Sequence, residues 1–359
     1  MAAMSVASVP CMLMRGGTSK GLFFLAADLP SDPSGRDDLL LRLMGSPDSR
    51  QIDGLGGAQP VTSKVAVVAP STEPDADVDY LFLQVDIETP TVSDRQTCGN
   101  LLAAVGQFAV ERGLVTPGDV HTSVRVRLVN TGGLAVSTFA TPAGRIDYSG
   151  NTAIAGVPGT AAAVALEFTD TEGAVCGSLL PTGRLVDEID GIEVTCVDNG
   201  MPVVLARAAD LGLTGYESPD ELGADTTLAE RIQSLRTQAA TLMGLGDVRS
   251  SSVPKTTLLA AARAGGALCT RTFIPIRPHP SIGVLGAVSV ATAALIDGAV
   301  GHELLALPPD GSPLAIEHPS GSLEVDITLD HDVTPPRVRR SAIIRTARSL
   351  FDGAAFPRS

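Results

Sequence analysis

The stretch around Thr97-Cys98-Gly99-Asn100 opens the clearest helical pattern in the chain. After Cys98, apolar side chains recur at the spacing of one helix face, and Gly113 follows as a helix stop. These apolar positions are Leu101, Leu102, Val105, Phe108 and Ala109. The pattern predicts a buried helix with Cys98 at its N-terminal end.

Elsewhere, short apolar and alternating runs predict a chain rich in strands. We expect strands at 11–14, 22–25, 65–68, 80–87, 124–130, 134–139, 145–148, 163–168, 192–197, 203–205, 256–259, 323–329 and 342–351. Further helices are expected at 37–44, at 227–243 and from about 281 to 298. Strands interspersed with a few helices predict an α+β fold.

Landmarks of the first half return in the second half, which indicates an internal duplication. Ala26-Ala27-Asp28-Leu29 is echoed 182 residues later, Lys64 enters a strand as Lys255 does, and Ser281 or Gly283 stands where Cys98 stands. A Pro/Gly turn at 180–183 suggests the boundary. We therefore expect domains at 1–183 and 184–359, with the last strand able to return to the first domain.

Composition narrows the class of protein. The 359 residues are 44% hydrophobic and 18% charged, which is typical of a globular protein with a core in each half. A net charge of −14 and an aromatic content of 3% argue against nucleic acid and anionic membrane surfaces as partners. We also expect no signal peptide at the N-terminus and no membrane-spanning segment.

Cysteines and histidines give no sign of a disulfide framework or a metal site. The five cysteines include no C-x-x-C pair, and the five histidines are scattered without ligand spacing. An odd number of cysteines fits a reducing compartment, so a cytoplasmic location is expected. We expect neither a metal nor a cofactor.

Two residues are candidates for acid–base chemistry. Cys98 at a helix start is placed where an anion is favoured, although many free cysteines are only small buried apolar residues. Lys64 enters an apolar strand and becomes a candidate base if it is buried, whereas an exposed strand-end lysine is the commoner situation. The pattern leaves both alternatives open.

A glycine-rich loop at 15–21 is a candidate anion site. Arg15, Gly17, Thr18 and Ser19 offer a cation, hydroxyls and free backbone amides, but the loop does not fit the Walker pattern. A tight hairpin turn explains the glycines equally well. If two related domains face each other, both helix starts meet at one cleft, with Cys98 from one domain and Arg277, His279 and Ser281 from the other.

Motifs along nearly the whole chain resemble the PrpF, or methylaconitate isomerase, family. They lie at 14–21, 45–48, 51–54, 62–64, 98–100, 194–202, 345–348 and 350–353. The resemblance implies the diaminopimelate epimerase-like fold: two pseudo-symmetric domains, each a mostly antiparallel sheet wrapped around a central helix, with the active site in the cleft between them. It also implies that Lys64 and Cys98 are catalytic.

Within the family, the sequence is most similar to members that tautomerise 4-oxalomesaconate in gallate degradation. The resemblance implies a cofactor-free isomerase, a tricarboxylate substrate and a keto-enol or allylic proton shift. The residues expected to bind substrate are Arg15, Gly17, Thr18, Ser19, Gly99, Asn100, Arg277, His279 and Ser281. Alternatives are a 2-methylaconitate or aconitate isomerase and a non-catalytic tricarboxylate-binding protein. The oligomeric state is open, with a homodimer as one possibility.

Overall fold

The chain forms two compact units in the computed structural model, which describes residues 8–95, 98–249, 251–309 and 311–358. The first unit comprises Met1–Leu166 together with Arg345–Ser359, and the second comprises Glu167–Ile344. The C-terminal residues thus return to the first unit, where residues 347–355 pair antiparallel with the first strand.

The first unit is built on strands β1 to β8. The elements in chain order are β1 (Val9–Gly16), β2 (Ser19–Leu25), α1 (Pro33–Met44), β3 (Lys64–Pro70), β4 (Val78–Val85), β5 (Val92–Ser93), α2 (Gly99–Leu102), α3 (Val105–Glu111), β6 (His121–Leu128), β7 (Leu134–Ala140) and β8 (Ala163–Phe168). The strands are ordered β1-β2-β3-β4-β6-β7-β8, and β5 pairs with β4.

The two faces of this sheet bury different helices. The inner face packs on α2 and α3, which contact β1, β2, β3, β6 and β7. On β2, Phe23 meets Phe108 of α3 with 5.6 Å between ring centroids. The neighbouring residues Leu22 and Phe24 point to the outer face and pack with the buried leucines of α1. Alternation along the strands therefore separates a central helix from an outer one.

The second unit begins near the end of β8 and uses the remaining elements, except that the part of β16 from Arg345 onward belongs to the first unit. These are β9 (Asp187–Ile189), β10 (Ile192–Asp198), β11 (Pro202–Arg207), α4 (Pro219–Ala224), α5 (Thr226–Leu242), β12 (Lys255–Ala260), β13 (Leu268–Phe273), α6 (Val284–Ala294), β14 (Leu314–His318), β15 (Gly321–Asp330) and β16 (Arg337–Ala355). Helix α6 is central and contacts β10, β11, β14 and β15, whereas α5 covers β9, β11 and β12.

The pairing pattern confirms the predicted duplication. Going from β1 through β2, β3, β4 and β6 to β7, the neighbours are antiparallel, parallel, antiparallel, parallel and antiparallel. The same series links β10, β11, β12, β13, β14 and β15. In both units the outer helix precedes the third strand of this series and the central helix follows the fourth. The predicted α+β class with two pseudo-symmetric units, each a mostly antiparallel sheet around a central helix, is confirmed.

The unit boundary lies before the turn at 180–183. The first unit ends at Leu166 because the following segment is attached to β10 of the second unit. The Asp198 carboxylate accepts hydrogen bonds from the backbone N–H groups of Val175 and Cys176, at 2.8 and 2.7 Å. The N–H of Asp198 also donates to the carbonyl of Leu179. These contacts link residues distant in sequence, so a local turn signal could not reveal them.

Two local predictions differ from the structure. No strand forms at 145–148, because Ala143 and Gly144 both adopt positive φ and turn the chain. The helix after Cys98 is interrupted at 103–104, where N–H groups bond to carbonyls three residues back, so α2 has only four residues. Among the described residues, none of the helices combines the length and apolar character that a bilayer crossing needs.

Candidate active site

Lys64 is buried on the inner face of the first unit. It is the first residue of β3 and only 9% exposed. Val65 and Val67 belong to the outer core with α1, so by alternation Lys64 faces the central helix. Its Nζ donates a 2.9 Å hydrogen bond to Oε1 of Gln84 and lies 4.8 Å from the ring centroid of Phe82. The alternative of an exposed strand-end lysine is therefore wrong.

The amide of Gln84 is fixed in one orientation. Its Nε2 donates to the carbonyls of Ser63 and Pro60, at 2.8 and 3.1 Å. Those bonds leave Oε1 to accept from Lys64. Among the described residues no carboxylate forms an ion pair with Lys64. A neutral acceptor thus holds the amine in place, with no negative charge from Gln84 beside it.

The second glycine-rich loop, at 51–57, supports this arrangement through Gln51. The Gln51 side chain is 1% exposed, and its Nε2 donates to the hydroxyls of Ser46 and Ser63, at 3.0 and 2.7 Å. Ser63 in turn donates to the carbonyl of Val85 and accepts, through its own carbonyl, from Gln84. A chain of hydrogen bonds thus runs from Gln51 through Ser63 and Gln84 to Lys64.

Cys98 precedes the first turn of the central helix. It is the N-cap residue of α2 and partly buried, and Thr97 before it lies outside the described residues. The carbonyl of Cys98 accepts from the N–H of Leu102 at 3.0 Å and from the Tyr80 hydroxyl at 3.3 Å. Because α2 has only four residues, its dipole contributes less to an anion at Cys98 than the continuous helix expected from the sequence.

Tyr80 is a permanent hydrogen-bond donor beside Cys98. The side chain is completely buried, and burial, reinforced by the nearby charge of an ionised Cys98, raises the pKa of the Tyr80 phenol well above its usual value. The hydroxyl therefore stays protonated and continues to donate to the Cys98 carbonyl.

One face of β4 contacts both candidate catalytic residues. Tyr80, Phe82 and Gln84 alternate along the strand and so point to the same side of the sheet. Tyr80 bonds to Cys98, whereas Phe82 and Gln84 hold the Lys64 amine. Sequence reasoning missed this role. The alternation of aromatic and polar residues opposite Lys64 is the signal that could have found it.

The glycine-rich loop at 15–21 is a hairpin that braces the start of the central helix. A Cβ on Gly16 would lie 2.4 Å from the carbonyl oxygen of Asn100, and one on Gly17 would lie 2.3 Å from Asn100 Oδ1. Asn100 Nδ2 donates to the Thr18 hydroxyl at 3.0 Å, and its Oδ1 is buried with no hydrogen-bond partner among the described residues. The loop is therefore a tight hairpin, as one interpretation of the sequence predicted. Its hydroxyls also lie beside the first turn of α2, as expected for the candidate anion site.

Glycine at position 21 brings β2, β3 and the central helix together. A Cβ there would lie 2.5 Å from the carbonyl oxygen of Lys64 and 3.2 Å from a methyl group of Leu101. Ser19, at the start of β2, is 2% exposed on the same inner face, and Gly99 is the first residue of α2. The expected residues Gly17, Thr18, Ser19, Gly99 and Asn100 thus cluster around the helix start that carries Cys98.

Arg15 points away from this cluster. It alternates with Cys11 and Leu13, which pack in the outer core, so its side chain lies on the face opposite Lys64. Its Nη1 donates to the carbonyl of Gly17 and to the carbonyl and hydroxyl of Thr346, at 2.9 to 3.0 Å. Burial, and secondarily the charge of Arg348, lower the Arg15 pKa. Both arginines line a cavity of about 360 Å³ in the first unit. The structure does not bring Arg15 together with Lys64.

The second unit holds the other three expected residues in the segment before α6. Arg277 is exposed, and its side chain has no ion-pair partner among the described residues. His279 Nδ1 accepts from the N–H of Ser281 at 3.1 Å, so the ring caps this turn. Ser281 Oγ lies 3.3 Å from Nε2 of the buried His318, a neighbour that sequence reasoning did not anticipate.

The structure resolves which residue of the second unit corresponds to Cys98. Gly283 is the N-cap of α6, as Cys98 is of α2, so the equivalent position has no side chain. In the described part of the chain, no group of three or more His, Cys, Asp or Glu side chains is arranged to hold a metal ion.

Comparison with known proteins assigns the family. The family model described as PrpF protein matches residues 6–357. The chain belongs to the PrpF family. It is 54% identical to a (4E)-oxalomesaconate Delta-isomerase of Novosphingobium sp. (strain KA1), over 97% of each chain. It is also 54% identical to a 4-oxalomesaconate tautomerase of Pseudomonas putida, over 96% of this chain and 95% of that one.

A solved structure of an isomerase is similar to this chain over nearly its whole length. The crystal structure of methylitaconate-delta-isomerase superposes with a TM-score of 0.88 and 34% identity, covering 98% of this chain and 96% of that one. The three proteins named here are isomerases, and this chain is an isomerase.

Proposed function

We propose that this PrpF protein is a 4-oxalomesaconate tautomerase that works without a cofactor. It converts the keto tricarboxylate to its enol, 4-carboxy-2-hydroxymuconate, as a step of gallate degradation. The observation that carries the proposal is made on the inner face of β4. There Phe82 and Gln84 contact the amine of Lys64, and Tyr80 donates to the carbonyl of Cys98 at the start of the helix. The relatives at 54% identity support oxalomesaconate as the substrate.

In this proposal Lys64 removes a proton from the carbon that lies next to the ketone and is also allylic to the alkene. The C–H electron pair delocalises into the carbonyl and gives a dienolate. A base must be unprotonated to accept the proton, and Gln84 positions the amine for this step through a neutral acceptor. Cys98 then delivers the second proton to the oxygen of the dienolate, giving the enol. The reverse assignment of Lys64 and Cys98 uses the same two groups.

Negative charge on the dienolate requires fixed donors. Backbone amides at Gly99 and Asn100 and the hydroxyls of Thr18 and Ser19 are candidates, because all four residues surround the start of α2. For the carboxylates, we propose Arg277, His279 and Ser281. Arg277 is the strongest of these, because an exposed guanidinium pairs with a carboxylate in bidentate fashion. The outward position of Arg15 favours a structural role for it instead.

A second candidate function is the movement of a double bond in oxalomesaconate, and the name of the Novosphingobium relative favours it. Both reactions share the dienolate. They differ in where the second proton is added, which is oxygen for tautomerisation and a distant carbon for the double-bond shift. Isomerases of 2-methylaconitate or aconitate would use the same pair on another tricarboxylate. A non-catalytic tricarboxylate-binding protein has no need of the thiol of Cys98 in addition to the lysine.

The binding partner, the cellular location and the oligomeric state are also part of the proposal. We propose that the partner is a small tricarboxylate, that the protein works in the cytoplasm and that it assembles as a homodimer. All five cysteines are unpaired, which suits a reducing compartment.

A substrate panel tests the proposed function. Purified protein is incubated with 4-oxalomesaconate, 2-methyl-cis-aconitate and trans-aconitate, and products are identified by NMR and absorbance. Formation of the enol from 4-oxalomesaconate, lost in Lys64→Met, supports the tautomerase. A product with a shifted double bond supports the second candidate. Turnover of only an aconitate, or of none of the three, rejects the assignment.

A further inference from the structure

The chain contains three lysines among its 26 basic residues, and two of them occupy equivalent positions. Lys64 begins β3 and Lys255 begins β12, and each of these strands runs between a parallel and an antiparallel neighbour. Lys64 is a proposed base, but Lys255 has no role so far. Because most basic residues of the chain are arginines, the occurrence of a lysine at both of these equivalent strand starts is a specific feature of the fold.

The two lysines differ in what stands opposite them. Gln84 pairs with Lys64 and accepts its hydrogen bond. In the second unit the β12–β13 pairing begins at Thr256 and Phe273, and β13 ends there, so Lys255 has no paired residue on β13. Among the described residues, the Lys255 amine has neither an ion pair nor a hydrogen bond. A partly buried ammonium without an acceptor requires a ligand or water to satisfy its donors.

The Lys255 amine points at the first turn of the central helix α6. A Cβ built on Gly283, the N-cap of α6, would lie 3.3 Å from Lys255 Nζ. Glycine at this position therefore leaves space between the amine and the backbone N–H groups of an 11-residue helix. In the first unit Cys98 fills the equivalent position with a side chain.

Electrostatics at this point favour an anion. An ammonium and the N-terminal end of a helix are both positive, so they repel each other unless a negative group lies between them. Burial lowers the pKa of Lys255, because desolvation disfavours its charged form. A carboxylate would accept from the amine and from the free N–H groups together.

We infer that Lys255 binds a carboxylate group beside Gly283 at the start of α6. The chemistry required is that of a small polycarboxylate. Identification of that molecule with the substrate rests on the proposed function, whereas binding of a carboxylate by Lys255 does not. The bound carboxylate group belongs either to the substrate or to a second small carboxylate molecule. Steady-state kinetics distinguish these two sources.

The test compares Lys255→Met with Lys255→Arg, with Arg249→Met as a control that removes an exposed positive charge from the same unit. Citrate is the probe for binding, measured by calorimetry and by the rise in Tm, and 4-oxalomesaconate is the substrate for kinetics. We expect Lys255→Met to weaken citrate binding about 10- to 100-fold, the range for a hydrogen bond between charged groups. Lys255→Arg should keep most of the affinity, and Arg249→Met should bind as the unchanged protein does.

The kinetic results identify the source of the carboxylate. If it belongs to the substrate, Lys255→Met raises KM by a similar factor and leaves kcat within a few-fold. If it belongs to a second molecule, citrate binding falls while KM is unchanged. The inference is overturned if neither citrate affinity nor KM changes in Lys255→Met. It is also overturned if both Lys255→Met and Lys255→Arg lose kcat to the same extent while both keep the citrate affinity of the unchanged protein. Loss of turnover on every substrate, with citrate binding still dependent on Lys255, would reject the proposed function alone.

Folding of the variants is checked independently. The ammonium of Lys255 is partly buried without a partner, so its removal does not break a contact of the folded state. We therefore expect the Tm of Lys255→Met without citrate to be no lower than that of the unchanged protein, and the gain in Tm on adding citrate to shrink.

Discussion

Lys64 and Gln84 stand directly opposite each other on β3 and β4, and the lysine donates a 2.9 Å hydrogen bond to the glutamine amide oxygen. The amide cannot turn round without losing the bonds that its Nε2 makes to Ser63 and Pro60. Gln84 is thus a positioning residue for the proposed base.

Replacement of Gln84 by Met should lower kcat/KM about 10- to 100-fold while the protein stays folded, because the amine loses its acceptor but the side-chain volume is kept. Gln84→Glu should move the acidic limb of the pH–rate profile to higher pH, since a carboxylate beside Nζ holds the lysine in its charged form. Steady-state kinetics from pH 5 to 10 provide the measurement. Gln238→Met, at an exposed glutamine of α5, is the control. A Gln84→Glu profile that coincides with the unchanged protein's would contradict the assignment.

Tyr80→Phe tests the contact at Cys98. The change removes one donor from the Cys98 carbonyl, which keeps its bond from Leu102, so we expect a loss of about 1 kcal/mol in the free energy of unfolding. The rate at which iodoacetamide alkylates Cys98 should also change, because the Tyr80 hydroxyl bonds to the Cys98 carbonyl and interacts electrostatically with an ionised Cys98. Urea titration and alkylation followed by mass spectrometry measure the two effects. Unchanged alkylation would mean that Tyr80 has only a structural role.

Gly16→Ala should disturb the hairpin and the helix start together. The new Cβ would lie 2.4 Å from the Asn100 carbonyl oxygen, so backbone must shift, at a cost of about 1 to 3 kcal/mol. Because Asn100 is two residues from Cys98, we expect kcat to fall as well. Gly133→Ala is the control, since a Cβ there meets nothing nearer than 3.7 Å. Equal stability of the two variants would argue against the close approach.

Asp198 gives a pH dependence of stability with a definite sign. Burial raises the pKa of its carboxyl above the unfolded value of 3.8, although hydrogen bonds from Cys176 and Val175 oppose the shift. The folded state then holds the proton more tightly, so this group's contribution to stability is present below pH 3.8 and is lost as pH rises through the folded pKa. Asp198→Asn should lack that loss and be no less stable at pH 7. Chemical unfolding between pH 3 and 7 provides the measurement, and a carboxylate that stabilises the fold at pH 7 would give the opposite order.

The sequence was sufficient to predict the repeated organisation, and it placed Lys64 at a strand entrance and Cys98 at a helix start, where the structure has them. Hydrophobic periodicity located most strands. Lys64 and Lys255 marked equivalent strand entrances, and Cys98 and the segment 281–283 marked equivalent helix starts, because both kinds of position carry local signals. The family resemblance assigned Lys64 and Cys98 their roles.

Contacts between distant segments could not be predicted in the same way. The boundary at Leu166 depends on Asp198 binding a segment some 20 residues earlier, which no local turn pattern encodes. Gln84 and Tyr80 acquire their roles only through the register of β4 against β3 and the helix start. Arg15 was expected beside the substrate, but the strand's alternation turns it to the outer face.

Proton exchange at carbon tests the central claim most directly. The protein is incubated with 4-oxalomesaconate in ²H₂O, and deuterium entering the substrate carbon next to the ketone is followed by NMR for the unchanged protein, Lys64→Met and Cys98→Ser. We expect rapid exchange in the unchanged protein and a loss of about 10²- to 10⁴-fold in Lys64→Met, with its Tm retained. Exchange by folded Lys64→Met at the rate of the unchanged protein would contradict the account.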